Sequence, residues 1–241
     1  MITMSKGRYD VVTAQTSQDI QSAQALRALA FGVKAPFDSD VFDDCQHHIL
    51  VRDRRDGQLV CCFRIAVFEG ADIKRSYAAQ YYGLDRLAGF EGKMMELGRF
   101  CVHPDASDPD IVRIAWAALT RFVDSQDIKL LFGCTSFKGT DPQGFLGTFA
   151  VLARRHLAPP AWCPDEAADE VFRFADLAPT TVDSEYTMRQ MPPLLRTYLL
   201  MGGWVSDHAV VDRQMNTLHV FTGLEIEAIP ENRKRLLRGL V

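Results

Sequence analysis

The chain has 241 residues, 47% of them apolar and 24% charged, and a net charge of −4. That is enough for one large domain or two small ones around a real core, and nothing in the charge balance favours nucleic acid as a partner. No apolar run approaches the roughly 20 residues that span a bilayer, and the first ten residues, MITMSKGRYD, carry no apolar signal region, so the expectation is a cytoplasmic protein. The six cysteines, Cys45, Cys61, Cys62, Cys101, Cys134 and Cys163, form no C-x-x-C pair and no Cys/His spacing typical of zinc. No metal is therefore expected, and the cysteines in apolar runs read as small hydrophobes.

In chain order, Val11–Gln15 reads as a short strand. Ser17–Phe31 reads as a helix capped by Thr16 or Ser17, with Ile20, Ala23, Leu26 and Ala30 on one face. The next stretch, GVKAPFDSDVFDD, is a loop carrying Asp38, Asp40, Asp43 and Asp44. It is read either as a solvated acidic loop or as a lid over a cationic substrate. Cys45–Arg52 and Gln58–Phe68 are strands joined at Asp56-Gly57, a hairpin signal. Arg64 stands alone in the second of them and needs an acidic partner such as Asp40, Asp43 or Glu96. Lys74–Leu87, with Tyr77, Tyr81 and Tyr82, is predicted as a helix, and Met94–His103 as a buried strand.

Asp108-Pro109-Asp110 is a helix start, with Asp as cap and Pro in the first position. The helix continues over Ile111–Ser125. Lys129–Phe137 is a buried strand, Pro142–His156 a helix ending in Arg154 and Arg155, and Ala158–Asp183 an irregular connection. Pro193–Met201 is a helix closed by Gly202-Gly203. Trp204–Val211 and Thr217–Ile226 are the last strands, before a basic tail with Arg233, Lys234, Arg235 and Arg238. This order makes a mixed α/β sheet with helices on its faces, read as a single domain over residues 1–241.

The run MMELGRFCVHP is the most chemically loaded. Glu96 and Arg99 sit on an apolar strand, where charges are costly unless paired or used. They lie three apart, which a regular strand sends to opposite faces. A bulge near Gly98 would shift that phase. The pair is either a structural ion pair or a catalytic carboxylate beside splayed backbone N–H groups. A reactive Cys101 next to His103 is a further candidate.

Arg27 and Phe31, in the form LRxxxF, together with Asp40, Asp43, Arg64, Glu96, Arg99 and Phe100, resemble the motif set of acyl-homoserine lactone synthases and of their relatives, the ornithine N-acyltransferases. The stretches ELGRFCVHPD with DPDIVRIAWAAL, KLLFGCTSFKGTDP, and PPLLRTYLLMGGWVSDHAVVD with NTLHVF are more similar to the second family, and the likeness runs from about Thr16 to Leu224. The resemblance implies a GNAT-like, mostly antiparallel sheet flanked by helices. It also implies transfer of a 3-hydroxyacyl group from acyl carrier protein to the α-amine of ornithine, or of glutamine in some relatives, giving a lyso-aminolipid.

Glu96 is then the expected general base, and backbone N–H groups near Phe100–Val102 the oxyanion donors. Arg99 and Arg64 either fix the acidic loop through Asp40 and Asp43 or bind the substrate carboxylate. Asp40, Asp43 or Asp44 would meet a side-chain ammonium. The donor is a phosphopantetheine arm on an acidic carrier, because DASDPDIVR replaces the glycine loop that holds a CoA pyrophosphate. Arg154, Arg155, Arg233, Lys234 and Arg235 are candidate carrier docks. The tail, with Leu236, Leu237 and Leu240, is a candidate for peripheral membrane contact. Lactone synthesis, a CoA-dependent acetyltransferase and a non-catalytic binding module are the competing readings.

Overall fold

A computed structural model describes residues 1–177, 187 and 190–239. Pro179 and Asp183 of the irregular connection, and Leu240 of the tail, lie outside the described residues. The elements in order are β1 (Thr3–Lys6), β2 (Tyr9–Thr13), α1 (Ser17–Phe31), β3 (His47–Asp53), β4 (Leu59–Glu69), β5 (Tyr82–Gly83), β6 (Lys93–Val102), α2 (Pro109–Gln126), β7 (Ile128–Lys138), α3 (Leu146–Arg155), β8 (Asp165–Glu166), β9 (Val171–Arg173), α4 (Pro193–Leu200), β10 (Trp204–Val205), β11 (His208–Asp212), β12 (Thr217–Glu225) and α5 (Glu231–Arg238). The chain divides into two compact units. One holds residues 1–67, 95–128 and the segment from Glu231; the other holds 68–94 and 129–230. Both are mixed α/β and mostly antiparallel, as the sequence implies.

In the first unit, β1, β2, β3, β4 and β6 follow one another across the sheet. The β1–β2 hairpin was not anticipated, because in β1 only Met4 is buried and no alternating pattern shows. The β3–β4 hairpin turns at Asp56-Gly57 as expected, with Gly57 at φ 75°. α1 begins where its capping box says it should. The Thr16 hydroxyl accepts from the Asp19 N–H at 3.1 Å and the Asp19 carboxylate accepts from the Thr16 N–H at 3.2 Å. Gly32, in the left-handed region at φ 69°, ends it. Ala23 and Leu26 of α1 pack on Leu50, Cys62 and Cys101, the core under this helix. α2 starts at Pro109 with Asp108 as its cap and buries Ile111, Ala115, Ala118, Leu119 and Phe122. α5 lies against α2, and Arg238 holds Asp124 at 3.2 Å.

In the second unit, β7, β12, β11 and β9 pair in that order, with β10 also on β12. Side chains alternate into two cores. Phe132, Trp204, Val210 and Phe221 lie in one; Phe137, Phe149, Leu152, Leu195 and Leu218 lie in the other. The predicted helix over Lys74–Leu87 is corrected here. The stretch folds as short 3-10 turns (Gly70–Arg75, Ala78–Gln80, Leu87–Gly89) around the two-residue β5. Its buried side chains, Ile73, Ala78, Tyr82, Leu84 and Leu87, follow no helical period because each is placed by the sheet face it covers. The Pro142 helix likewise opens as a 3-10 turn, Pro142–Phe145, before α3.

One consequence of this packing is testable. His219 is buried on β12, with the Tyr82 hydroxyl 3.1 Å from Nδ1 and Tyr81, His208 and Asp212 around it. Its Nε2 has no hydrogen-bond partner among the described residues. Burial pushes the imidazole down to about 4, with His208 adding to the effect and Asp212 opposing it. The group is neutral when folded, while the unfolded chain takes a proton below about pH 6.5. Its contribution is complete above that pH and is lost as pH falls towards the folded value. We expect urea denaturation to give about 2 kcal/mol less stability at pH 5 than at pH 7, and His219→Gln to flatten that slope. A variant slope equal to the wild-type slope would place the loss elsewhere.

Candidate active site

The acidic loop after α1 folds back along the helix. The Val33 N–H donates to the Ala28 carbonyl at 2.9 Å and the Asp38 N–H to the Gln24 carbonyl at 3.1 Å. This brings the loop carboxylates over three arginines from three elements: Arg27 of α1, Arg64 of β4 and Arg99 of β6. Arg27 grips Asp43 with both terminal nitrogens, Nη1 to Oδ1 and Nη2 to Oδ2, each at 2.8 Å. Its Nε faces Asp38 Oδ2 at 3.0 Å, and Nη2 also donates to the Asp38 carbonyl. Arg64 Nη1 bridges Asp40 Oδ1 at 2.5 Å and Asp43 Oδ1 at 2.7 Å, and its Nη2 reaches Asp40 Oδ2 at 3.0 Å. Arg99 pairs with Asp38 through Nε at 3.0 Å and with Asp40 through Nη2 at 3.1 Å.

Arg27 and Arg64 are fully enclosed and Asp38 and Asp43 nearly so. Charges in such surroundings persist only when matched. Burial alone would raise the Asp43 carboxyl, but Arg27, Gln24 and Arg64 outweigh it and hold the group well below the usual carboxylate range. Asp40 is lowered in the same way, burial being overcome by Arg64 and Arg99. His48 on β3 closes the cluster, its Nε2 3.1 Å from the Asp43 carbonyl. Burial lowers its pKa, and Asp43 opposes only in part, so it stands neutral at pH 7.

Glu96 lies on β6 and is 2% exposed. Its Oε2 accepts from Gln46 Nε2 at 3.1 Å, and Gln46 belongs to the same loop. Glu96 and Arg99 therefore reach one loop although three residues separate them. The irregularity expected near Gly98 lies at the adjacent Arg99, whose φ is 52°. A non-glycine residue in the left-handed region costs on the order of 1–3 kcal/mol, here offset by the pairing of its guanidinium with Asp38 and Asp40. Arg64 and Arg99 both pair with aspartates of the acidic loop. The group holds three guanidiniums (Arg27, Arg64, Arg99) and four carboxylates (Asp38, Asp40, Asp43, Glu96), most of them buried.

The other sequence candidates are spread more widely. Phe100 stacks on Phe63 with centroids 5.4 Å apart. The Cys101 thiol points into the core under α1, 3.5 Å from the Cys62 sulfur. His103 Nδ1 accepts instead from the Asp105 N–H at 3.2 Å. Phe31 and Asp44 are exposed. Arg154 and Arg155 are exposed at the end of α3, and Arg233 and Arg235 on α5, where Lys234 pairs with Glu231 at 3.1 Å. Sequence reasoning missed Gln24, Gln46 and His48. Gln24 had a legible signal, since it precedes Arg27 by three and shares its helical face. The other two owe their place to the loop's path. Among the described residues no group of three or more His, Cys, Asp or Glu is placed to hold a metal ion, and no helix is long and apolar enough to cross a membrane.

The N-terminus of α2 is capped by its own side chains. The Asp108 carboxylate accepts from the Asp110 N–H at 2.9 Å and from the Tyr9 hydroxyl at 2.7 Å. This is a side-chain cap on one of the free N–H groups of that helix end.

Residues 25–117 match the family described as an acetyltransferase (GNAT) domain. An L-ornithine Nα-acyltransferase of Rhodobacter capsulatus is 30% identical, with the alignment covering 94% of this chain and 93% of that protein. One of Brucella abortus is 29% identical, over 92% of this chain and 86% of that protein. Among solved structures, FeeM, an N-acyl amino acid synthase from uncultured soil microbes, superposes with a TM-score of 0.53 at 12% identity, over 97% of this chain and 98% of that one, and so shares the fold.

Proposed function

The chain belongs to the L-ornithine Nα-acyltransferase family, and from that premise we propose that it transfers an acyl group from a thioester to the α-amine of L-ornithine. The buried Glu96, within a group that carries one more carboxylate than guanidinium, is the observation that carries this reading. Aminolysis begins with a deprotonated amine, since the ammonium has no lone pair to attack with. Glu96 takes that proton, directly or through one water. The amine adds to the thioester carbonyl, and backbone N–H groups near Phe100–Val102 hold the oxyanion. Collapse expels the thiolate, which is reprotonated, and leaves the amide. The Arg27–Asp43–Arg64–Asp40–Arg99 lattice acts as the frame that fixes the loop against β6.

The donor is the phosphopantetheine arm of acyl carrier protein. The self-capped α2 start, with Asp105, Asp108 and Asp110 near it, supports this over CoA, whose pyrophosphate those carboxylates would repel. With a 3-hydroxyacyl donor the product is a lyso-ornithine lipid. Exposed Arg154 and Arg155 on one unit, or Arg233 and Arg235 on the other, supply docking cations for an acidic carrier.

The test is an assay offering 3-hydroxyacyl carrier protein or the matching acyl-CoA to ornithine and glutamine in parallel, with mass spectrometry of the extract. The expected outcome is acyl-ornithine from the carrier-bound donor, with a kcat/KM at least about tenfold above that for CoA, as the loss of one docked charge cluster implies. Acyl-glutamine would keep the mechanism and move the acceptor. Equal use of CoA would remove the carrier assignment, and no acylated amino acid would remove the reading itself.

A further inference from the structure

The segment from the end of α1 through the loop is inverted relative to a solvated loop. Asp38, Asp40 and Asp43 turn inward to the three arginines, Asp44 stays exposed at the far end, and the apolar side chains named next turn outward. Leu29 is 55% exposed, Phe31 37%, Phe37 44% and Val41 80%. Among the described residues, four of ten exposed large hydrophobic side chains fall within these thirteen positions, both exposed phenylalanines among them. Asp38 is buried and Asp40 half-buried, so Lys34 is the one exposed charged side chain between residues 29 and 41.

The ion pairs fix this arrangement. Asp38 is held by Arg27 and Arg99, and Asp43 by Arg27 and Arg64, which leaves Phe37 and Val41 to face out. Outward-facing aromatic and aliphatic residues gathered on one segment mark an interaction surface.

We propose that this segment is an interfacial membrane contact, with Phe37, Val41, Leu29 and Phe31 entering the headgroup–acyl boundary of an anionic bilayer and Lys34 at its surface. Charge decides between the candidate partners. An acidic carrier protein calls for several cations, and this face has one. Burial of apolar side chains in a bilayer interface calls for what the face has, and its single exposed charge has the sign that anionic headgroups attract. The proposal rests on the functional reading above in one respect: an N-acyl amino acid with a long chain is an amphiphile that partitions into lipid. The segment is built onto the loop that carries Asp38, Asp40 and Gln46, the partners of Arg99 and Glu96, so it places the reacting strand next to the surface that receives the product.

The experiment is co-sedimentation of the full chain with large unilamellar vesicles of phosphatidylglycerol and phosphatidylethanolamine. The wild type is compared with the double variant Phe37→Ser/Val41→Ser and with Arg233→Gln/Arg235→Gln on α5. Melting temperatures serve as the check on folding, and turnover is measured on dissolved substrates without vesicles. The expected result is a partition coefficient about tenfold lower for Phe37→Ser/Val41→Ser, with melting and vesicle-free turnover unchanged, and a smaller loss for the α5 variant. Vesicle binding is read without any turnover, so a failed assay of ornithine acylation leaves this outcome legible. The proposal is overturned if the wild type does not sediment with vesicles or if the loop variant sediments as the wild type does. It is equally overturned if the loop variant keeps its partition but shows a raised KM for the carrier-bound donor, which would make the face a carrier dock.

Discussion

Glu96→Gln is expected to lower kcat by about 10²–10⁴ while the protein stays folded, the range usual for loss of a positioned general base. The change is isosteric. A glutamine at this position still offers an oxygen to Gln46 Nε2, now 3.1 Å from Glu96 Oε2, so the strand keeps its contact with the loop. It leaves three carboxylates against Arg27, Arg64 and Arg99, which removes the excess negative charge that favours a cationic amine. The acceptor KM is therefore expected to rise along with the loss in kcat. The readout that separates base catalysis from mere binding is the pH profile. The limb of kcat that reports deprotonation of the base disappears in the variant and stays in a control such as Gln46→Leu, which disturbs position but not protons. Near-normal kcat in a folded Glu96→Gln protein would assign the proton to another group.

Much of the frame that carries this site is written in local signals. Thr16 with Asp19, Gly32 at the far end, Asp108 with Pro109, and Asp56-Gly57 each specify a backbone event within a few residues, so α1, the start of α2 and the β3–β4 turn appear where the sequence puts them. The stretch around the tyrosines had no such signal. Tyr77, Tyr81 and Tyr82 fit a helical count, yet Tyr82 is placed by His208, His219 and Phe221 on strands more than a hundred residues away.

The site divides in the same way. That Arg64 needed an acid, and that Glu96 and Arg99 needed a break in their strand, followed from the cost of burying charge. Which carboxylate meets which guanidinium did not follow. Nor did the direction of the loop: four aspartates in one stretch suggest a wet surface, and only the three-dimensional convergence of α1, β4 and β6 turns Asp38, Asp40 and Asp43 inward and the apolar side chains out.

Asp43→Asn is expected to be the most destabilising conservative change in this part of the molecule, costing about 3–5 kcal/mol and lowering Tm by about 10 °C or more. Asp43 Oδ1 receives Arg27 Nη1 at 2.8 Å and Arg64 Nη1 at 2.7 Å, and Oδ2 receives Arg27 Nη2 at 2.8 Å, Gln24 Nε2 at 2.8 Å and the Asp40 N–H at 3.2 Å. An amide NH2 in place of either oxygen sets donors against donors and leaves two enclosed guanidiniums short of a counter-charge. Adding Arg27→Met to the variant removes one of those charges, so the double variant should cost less than the two single changes summed, by about 1–3 kcal/mol. A strictly additive cycle would show that the pair contributes no mutual stabilisation.

The pH dependence has a definite sign. The Asp43 carboxyl is depressed when folded, so its contribution is complete above the ordinary carboxylate pKa of about 3.9 and is lost as pH falls towards the lower folded value. Wild type should therefore lose stability below about pH 4, and Asp43→Asn should lose less over the same range, keeping only the share of Asp40 and the other lowered carboxylates. Activity follows by a mechanical route. With Asp43 gone, Arg64 retains Asp40 alone and Arg27 retains Asp38, so the loop that carries both partners of Arg99 is less firmly held against Glu96. Turnover in Asp43→Asn should fall even at temperatures where the protein is folded, and by less than in Glu96→Gln, because the frame is loosened and the base remains.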